Sequence, residues 1–234
     1  MTDIATTAAE LGFTRLVHFT SARNLIPILR DGALRSSKDL AEKDPVQYLP
    51  TDEERFDAHP DHLCCSFEYP NAYYRDIAGR KSNQTNYPNW LILTLSKSLV
   101  LRTGALFAGC NAARNRGAHL RPGAEALSEC WASPSIPGGR VRGATHLPSV
   151  PTDLQSEVLI PGPVSVSEVT GIIVESEAVA GEHHEILRRL NLNTGQIPWK
   201  VAPVLFRKFD LTRAIQTGRQ PDEMLWAPEA GERL

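Results

Sequence analysis

The chain has 234 residues, 41% hydrophobic and 22% charged, with a formal net charge of -2, the profile of an ordinary soluble protein able to bury one core. That balance excludes a bulk polycation, so any polyanionic partner must meet a local patch. No apolar run reaches the ~20 residues that cross a bilayer, and the opening MTDIATTAAELG lacks the basic and apolar regions of a secretory signal, so the cytoplasm is the default and no membrane partner is expected.

Leu16–Thr20 reads as a strand of β-branched and aromatic residues with Leu16, His18 and Thr20 on one face. A short helix follows, capped by Ser21 or Asn24, with Pro27 in its first turn and Leu25, Ile28 and Leu29 on one apolar face. Gly32 is its natural stop, and a return strand is expected near Leu34. Residues 36–62 are polar and charged and read as a long surface excursion with at most a turn of helix.

Leu63–Phe67 looks like a buried strand leading into EYPNAYYR, where four aromatics in eight residues, counting Phe67, suit the wall of a flat ligand or, taken singly, a core. The four cysteines do not make a framework: Cys64 and Cys65 are adjacent, Cys110 and Cys130 are lone. A zinc site built on His59, His62 and the Cys64/Cys65 pair lacks two well-spaced ligand pairs, so free thiols and no metal are expected.

Asn89–Leu95 is the clearest strand and apolar enough to be central. From Arg102 to His146 the chain is irregular apart from a helix over Ala124–Trp131. It carries six arginines against two acids, a local excess of four positive charges in a chain that is negative overall. Of these, Arg114, Arg116, Arg121, Arg140 and Arg142 are the residues offered for phosphate contact, against the plain alternative of solvated loop arginines.

After the loop PSVPTD, the stretch LQSEVLI reads as a strand carrying a carboxylate. Alternation along that strand puts Gln155 and Glu157 on one face. Val169–Val174 is a further strand, and Ala178–Leu190 a helix with Ile186, Leu187 and Leu190 inward. The run His183-His184-Glu185 does not converge on one ion, because adjacent helical positions diverge, and reads as surface decoration. Val201–Phe206 is a last strand and the tail 221–234 is expected to be loose. The fold class is α+β: one domain over 1–234, core at about 13–210, with a split, mostly antiparallel β core and peripheral helices.

Three stretches, LVHFTSARNLIPILRDGAL (16–34), CSFEYPNAYY (65–74) and LQSEVLI (154–160), resemble in order and separation the DarT family of DNA ADP-ribosyltransferase toxins. The resemblance implies an ADP-ribosyltransferase fold, NAD⁺ as substrate without a metal, single-stranded DNA as acceptor and an antitoxin hydrolase as partner. It also implies roles: His18 on the NAD⁺ ribose, Phe19 and Thr20 beside it on the adenosine side, Tyr74 stacked on nicotinamide, Asn71 in the same pocket. Family members resembling this chain carry an arginine in the aromatic stretch where Pro70 or Asn71 stands here. Arg75 is the nearest arginine, and the departure points to guanine ahead of thymine as the base. RNA or protein as acceptor, and a non-catalytic binding module, stay open as alternatives.

Glycosidic cleavage passes through an oxocarbenium-like centre, and a carboxylate beside the ribose stabilises it and takes a proton from the nucleophile. Glu157 is the residue assigned to that task. Gln155, able to donate and accept through its amide, is assigned to the acceptor base.

Overall fold

The structure, a computed structural model, describes residues 3–43, 56–74, 76–77 and 89–228. Its frame is an eight-stranded sheet in the order β10-β9-β8-β4-β1-β3-β6-β5. The central strands are β1 (Arg15–Ser21), β3 (His62–Phe67), β4 (Trp90–Ser96) and β8 (Val169–Val174), and β5 (Leu106–Ala108) and β6 (Glu157–Pro161) form one flank. The other flank is β9 (Trp199–Val201) and β10 (Met224–Trp226). Every pairing is antiparallel except β8 with β9. A two-stranded ribbon, β2 (Ala33–Leu34) with β7 (Val164–Ser165), stands apart.

The expected split lies between β1 and β3. These strands share two rungs, Leu16–Phe67 and Val17–Ser66, whereas β1 pairs with β4 along its whole length. Beyond Val17 the His18 side chain takes over, its Nδ1 2.9 Å from the Cys64 carbonyl oxygen.

β4 is central as expected, buried from Trp90 through Leu95 because both faces are covered. Leu91, Leu93 and Leu95 join Leu16, Cys65, Phe67, Val158 and Ile160 in the larger core. Above that core lie α1 (Ile4–Glu10), α2 (Leu25–Asp31), α4 (Ala124–Glu129) and α5 (Glu177–Arg189), through Ala8, Leu25, Leu127 and Leu187; α3 (Ser37–Lys43) buries no residue. Trp90, Ile92, Val17 and Ile173 face the opposite cluster, roofed by Leu211 and Ile215 of α6 (Lys208–Gln216) and by Leu147 and Val150.

Several local expectations change. Gly32 does end α2 at φ 65, but Asn24 makes no cap hydrogen bond; a 3-10 turn, Ala22–Asn24, runs into the helix and the Asn24 amide donates to Thr20 instead. Of residues 36–62, α3 supplies the helical turn, and 44–55 lie outside the described residues. On α5, His184 is buried beside Trp226, not surface decoration, while Leu190 is 40% exposed. The last core strand ends at Val201, and Pro203–Phe206 is a 3-10 turn, because Pro203 offers no donor to a ladder.

The tail is docked as far as Trp226, not loose. β10 pairs with β9, and Glu223 accepts from Arg15 through both guanidinium nitrogens and from Lys200 Nζ at 2.9 Å. Residues 229–234 lie outside the described residues.

Candidate active site

One row of the sheet organises the site. Thr94, Val17, Ser66, Glu157 and Ala108 stand opposite one another on β4, β1, β3, β6 and β5. At about 4.8 Å per strand, Glu157 lies about 10 Å from Val17, across the start of the split.

Glu157 is the first residue of β6, and a turn sets that boundary. Asp153 Oδ1 accepts the Gln155 N–H at 2.9 Å and Asp153 O accepts the Ser156 N–H at 2.9 Å, an Asx turn that breaks the extended backbone. Gln155 therefore sits in the turn, and the same-face argument from strand alternation fails for it. It remains two residues from Glu157 and half-buried.

The Glu157 carboxylate is held from two sides. Asn71 Nδ2 donates to Oε1 at 3.2 Å, and the Ala112 backbone N–H donates to Oε2 at 2.7 Å. Asn71 is itself fixed, since its Oδ1 accepts the Tyr74 N–H at 3.1 Å. That bond assigns the amide orientation, leaving Nδ2 for the carboxylate. The charge of Glu157 is felt nearby: burial pushes the Cys65 thiol up to about 12, and Glu157 adds to it. Cys110 is pushed up to about 11 by burial, with Arg114 opposing and Asp153 and Glu157 adding. None of the four cysteines is in a disulfide.

His18 lies one residue past the row. Its Nδ1 faces a carbonyl, which only accepts, so Nδ1 carries a proton. Thr20 is buried and its Oγ1 accepts from Asn24 at 2.9 Å, leaving its own proton to donate. Phe19 is stacked on Trp90, centroids 4.9 Å apart and 4° from parallel, so its ring belongs to the second core cluster. Tyr74 packs partly on that cluster too. Arg75 lies outside the described residues.

The turn from β3 to Asn71 is built by groups that carried no sequence signal of function. Glu68 adopts φ 60, a left-handed backbone unfavourable for a side chain. Its carboxylate accepts the Thr14 N–H at 2.6 Å, and its carbonyl accepts from Arg15 Nε at 2.8 Å. A cleft opens beside it on the Ser66 side, walled by Tyr69, Pro70, Val150, Leu154 and Leu211, with Asp153 and Ser156 among its polar members.

The arginines divide. Arg142 is a scaffold residue instead of a phosphate contact: NH1 donates to Val150 O at 2.8 Å and Thr152 Oγ1 at 3.3 Å, and NH2 to Leu147 O at 2.8 Å and Pro148 O at 3.0 Å. Burial pulls its guanidinium below the ordinary value. Arg121 is exposed but ion-paired with Glu129. Arg114, Arg116 and Arg140 are exposed, and Arg114 lies in the segment that supplies the Ala112 donor. The imagined zinc cluster reduces to His59, Asp61 and His62, with both His62 nitrogens engaged, at 2.8 Å by Asp61 and 3.1 Å by Gly104 O.

With this geometry in hand, the relatives decide the family. Residues 17–206 match the family described as "DarT: ssDNA thymidine ADP-ribosyltransferase, DarT". The chain belongs to the DarT family. Solved structures agree in fold: Thermus sp. 2.9 DarT in complex with carba-NAD⁺ is 19% identical, with TM-score 0.54 over 83% of this chain and 98% of that one. The same Thermus protein in complex with ADP-ribosylated ssDNA is 17% identical, with TM-score 0.55 over 82% and 96%. Thermosipho africanus DarTG in complex with ADP-ribose is 16% identical, with TM-score 0.54 over 83% of this chain and 51% of that one. No curated protein matches. Membership makes the chain an enzyme of the ssDNA ADP-ribosyltransferase class, and among the described residues no helix is long and apolar enough to cross a membrane.

Proposed function

We propose that this DarT-family chain transfers ADP-ribose from NAD⁺ to a guanine of single-stranded DNA, with Glu157 as the catalytic carboxylate. The observation that carries the reading is the doubly held Glu157 carboxylate, fixed by Asn71 Nδ2 and the Ala112 N–H at the start of a strand beside the sheet's split. Each of the two carboxylate oxygens can accept more than one hydrogen bond. One is offered to a ribose hydroxyl, the other to the proton of the attacking base. The nicotinamide–ribose bond breaks and nicotinamide leaves as the neutral base. A base nitrogen then bonds to the ribose carbon, and its proton passes to Glu157 and on to solvent. His18 Nε2 accepts from a ribose hydroxyl, and the Thr20 hydroxyl donates on the adenosine side. Tyr74 stacks on the nicotinamide and Gln155, in the turn before Glu157, reads the acceptor.

Guanine over the thymine of the family description rests on Asn71. Pro70 or Asn71 stands where an arginine is found in members that this chain resembles, and the Asn71 amide donates to the carboxylate. Arg114 and Arg116 meet phosphates, and single-stranded substrate spares the cost of extruding a base. By the same resemblance the protein is the toxin of a pair whose antitoxin removes the modification.

The test is transfer of label from NAD⁺ to matched homopolymer DNA and RNA oligonucleotides. Glu157→Ala is expected to lose about 10²–10⁴-fold in rate, and its expression to relieve growth arrest. Label found only on protein, or a fully active Glu157→Ala enzyme, rejects the assignment. Transfer to oligo-dT in preference to dG-containing DNA moves the acceptor to thymine. Stabilisation by NAD⁺ without turnover would make the chain a binding module.

A further inference from the structure

We propose that the face formed by Phe209, Lys208, Tyr73 and Arg140 is a second nucleic-acid subsite, which stacks and neutralises the strand flanking the acceptor nucleotide; the inference rests on the reading of single-stranded DNA as acceptor. α6 holds to the sheet through Leu211, Ala214 and Ile215, and Phe209 has no part in that packing. It is 76% exposed at the first turn, an expensive position for a phenyl ring that stabilises nothing inside.

Its neighbours form an alternation of cations and rings. The Lys208 ammonium lies 5.5 Å from the Phe209 centroid and 4.4 Å from that of Tyr73, and the Arg140 guanidinium lies 5.7 Å from Tyr73 on its own approach. Val141, next to Arg140, is 74% exposed. Among the described residues neither Lys208 nor Arg140 has a carboxylate partner. The acids close in sequence are Asp76 and the half-buried Asp210, against Arg140, Arg207 and Lys208.

An exposed ring, Phe209, beside cations without a carboxylate partner is what a single strand needs, a π-face for a base and a charge for the phosphate beside it. The face is also continuous with the site. Tyr73 is two residues from Asn71, whose amide donates to Glu157, and one from Tyr74, whose N–H fixes that amide. A strand lying across Tyr73 and Phe209 would thus run out from the catalytic carboxylate.

The experiment compares wild type with Phe209→Ala, Phe209→Trp and Lys208→Gln. Anisotropy gives the Kd for a labelled single strand of about 16 nucleotides, and transfer kinetics are run on that strand and on a trinucleotide. Loss of one stacked base weakens binding roughly 5- to 150-fold. Phe209→Ala is expected to raise Kd and KM for the long strand at least about fivefold with kcat unchanged, the low end of that range. Its reaction with the trinucleotide stays at the wild-type level, and Phe209→Trp keeps the long-strand affinity. Lys208→Gln lowers the slope of log K against log salt by about 0.7, one phosphate contact.

Wild-type affinity of Phe209→Ala for the long strand overturns the subsite, as does an equal loss on the trinucleotide. A changed sedimentation of Phe209→Ala also overturns it, by showing a protein contact. If wild type itself neither binds nor modifies the long strand, the acceptor reading fails, and the subsite with it, before any variant is compared.

Discussion

Arg142→Ala separates two accounts of one residue. If Arg142 meets phosphates, its loss weakens DNA binding and leaves the fold alone. The structure gives it four hydrogen bonds to residues 147–152 instead, the segment that leads into the Asp153 turn and Glu157. The Leu147 carbonyl keeps the Val150 N–H at 3.2 Å and the Pro148 carbonyl keeps Trp131 Nε1 at 2.9 Å, so the main loss falls on the carbonyl of buried Val150. Leaving a buried acceptor unsatisfied costs about 1–3 kcal/mol, while acceptors that keep a second donor lose less. The cost is about 1–3 kcal/mol, discounted toward its lower half because the guanidinium is only partly buried. For a chain of this size each kcal/mol lowers Tm by about 2–4 °C, so a drop of roughly 2–8 °C is expected. Calorimetry reads the Tm, and a salt titration of DNA binding supplies the contrast. Arg142→Lys recovers only part of the stability, since an ammonium does not reproduce the planar fork. A Tm within about 1 °C of wild type, together with a salt slope reduced by about 0.7, would refute the scaffold role.

Two further outcomes follow from the same geometry. Asn71→Ala removes the donor to Glu157 Oε1 and the acceptor for the Tyr74 N–H. One hydrogen bond to a charged group predicts about a 10- to 100-fold fall in kcat/KM, and an unchanged kcat/KM would mean Asn71 does not position Glu157. Glu223 is pushed up by burial, but the hydrogen bonds and charges of Arg15 and Lys200 outweigh that and hold it below its ordinary 4.5. A depressed carboxylate stabilises fully above its unfolded value and loses that contribution as pH falls through the folded one. The stability gap between wild type and Glu223→Gln in urea is therefore expected to be constant above about pH 5 and to close on further acidification. A gap that persists at low pH would remove the triad from the account.

Strands with a strong local signature were legible in the sequence. β4 is an unbroken apolar run, β1 and β8 are β-branched, and each stands where the residue pattern put it. Gly32 was legible for a similar reason, because a left-handed C-terminus is a local demand that glycine meets. Glu157 is proposed from its residue type and the resemblance of three stretches. Gln155 was misread as strand, although the turn residue responsible, Asp153, was visible two positions earlier: side-chain acceptors compete with extended backbone, and that competition decides the first residue of β6.

Three things came only with the tertiary structure. The Ala112 N–H at Glu157 is a backbone donor, and every residue but proline has one, so no side chain announces it. The docking of β10 depends on Arg15 meeting Glu223 across 208 residues of sequence, a distance no local pattern spans. The division of the arginines depends on which oxygens come within reach after folding. Composition counted six alike, whereas packing made Arg142 an internal strut and left Arg140 beside Tyr73. The sequence by itself pointed to the class of chemistry and to Glu157 as the residue proposed for it, because reactive groups are residue types. Which groups hold that carboxylate, and which charges remain for a partner, was decided by contacts between segments distant in the chain.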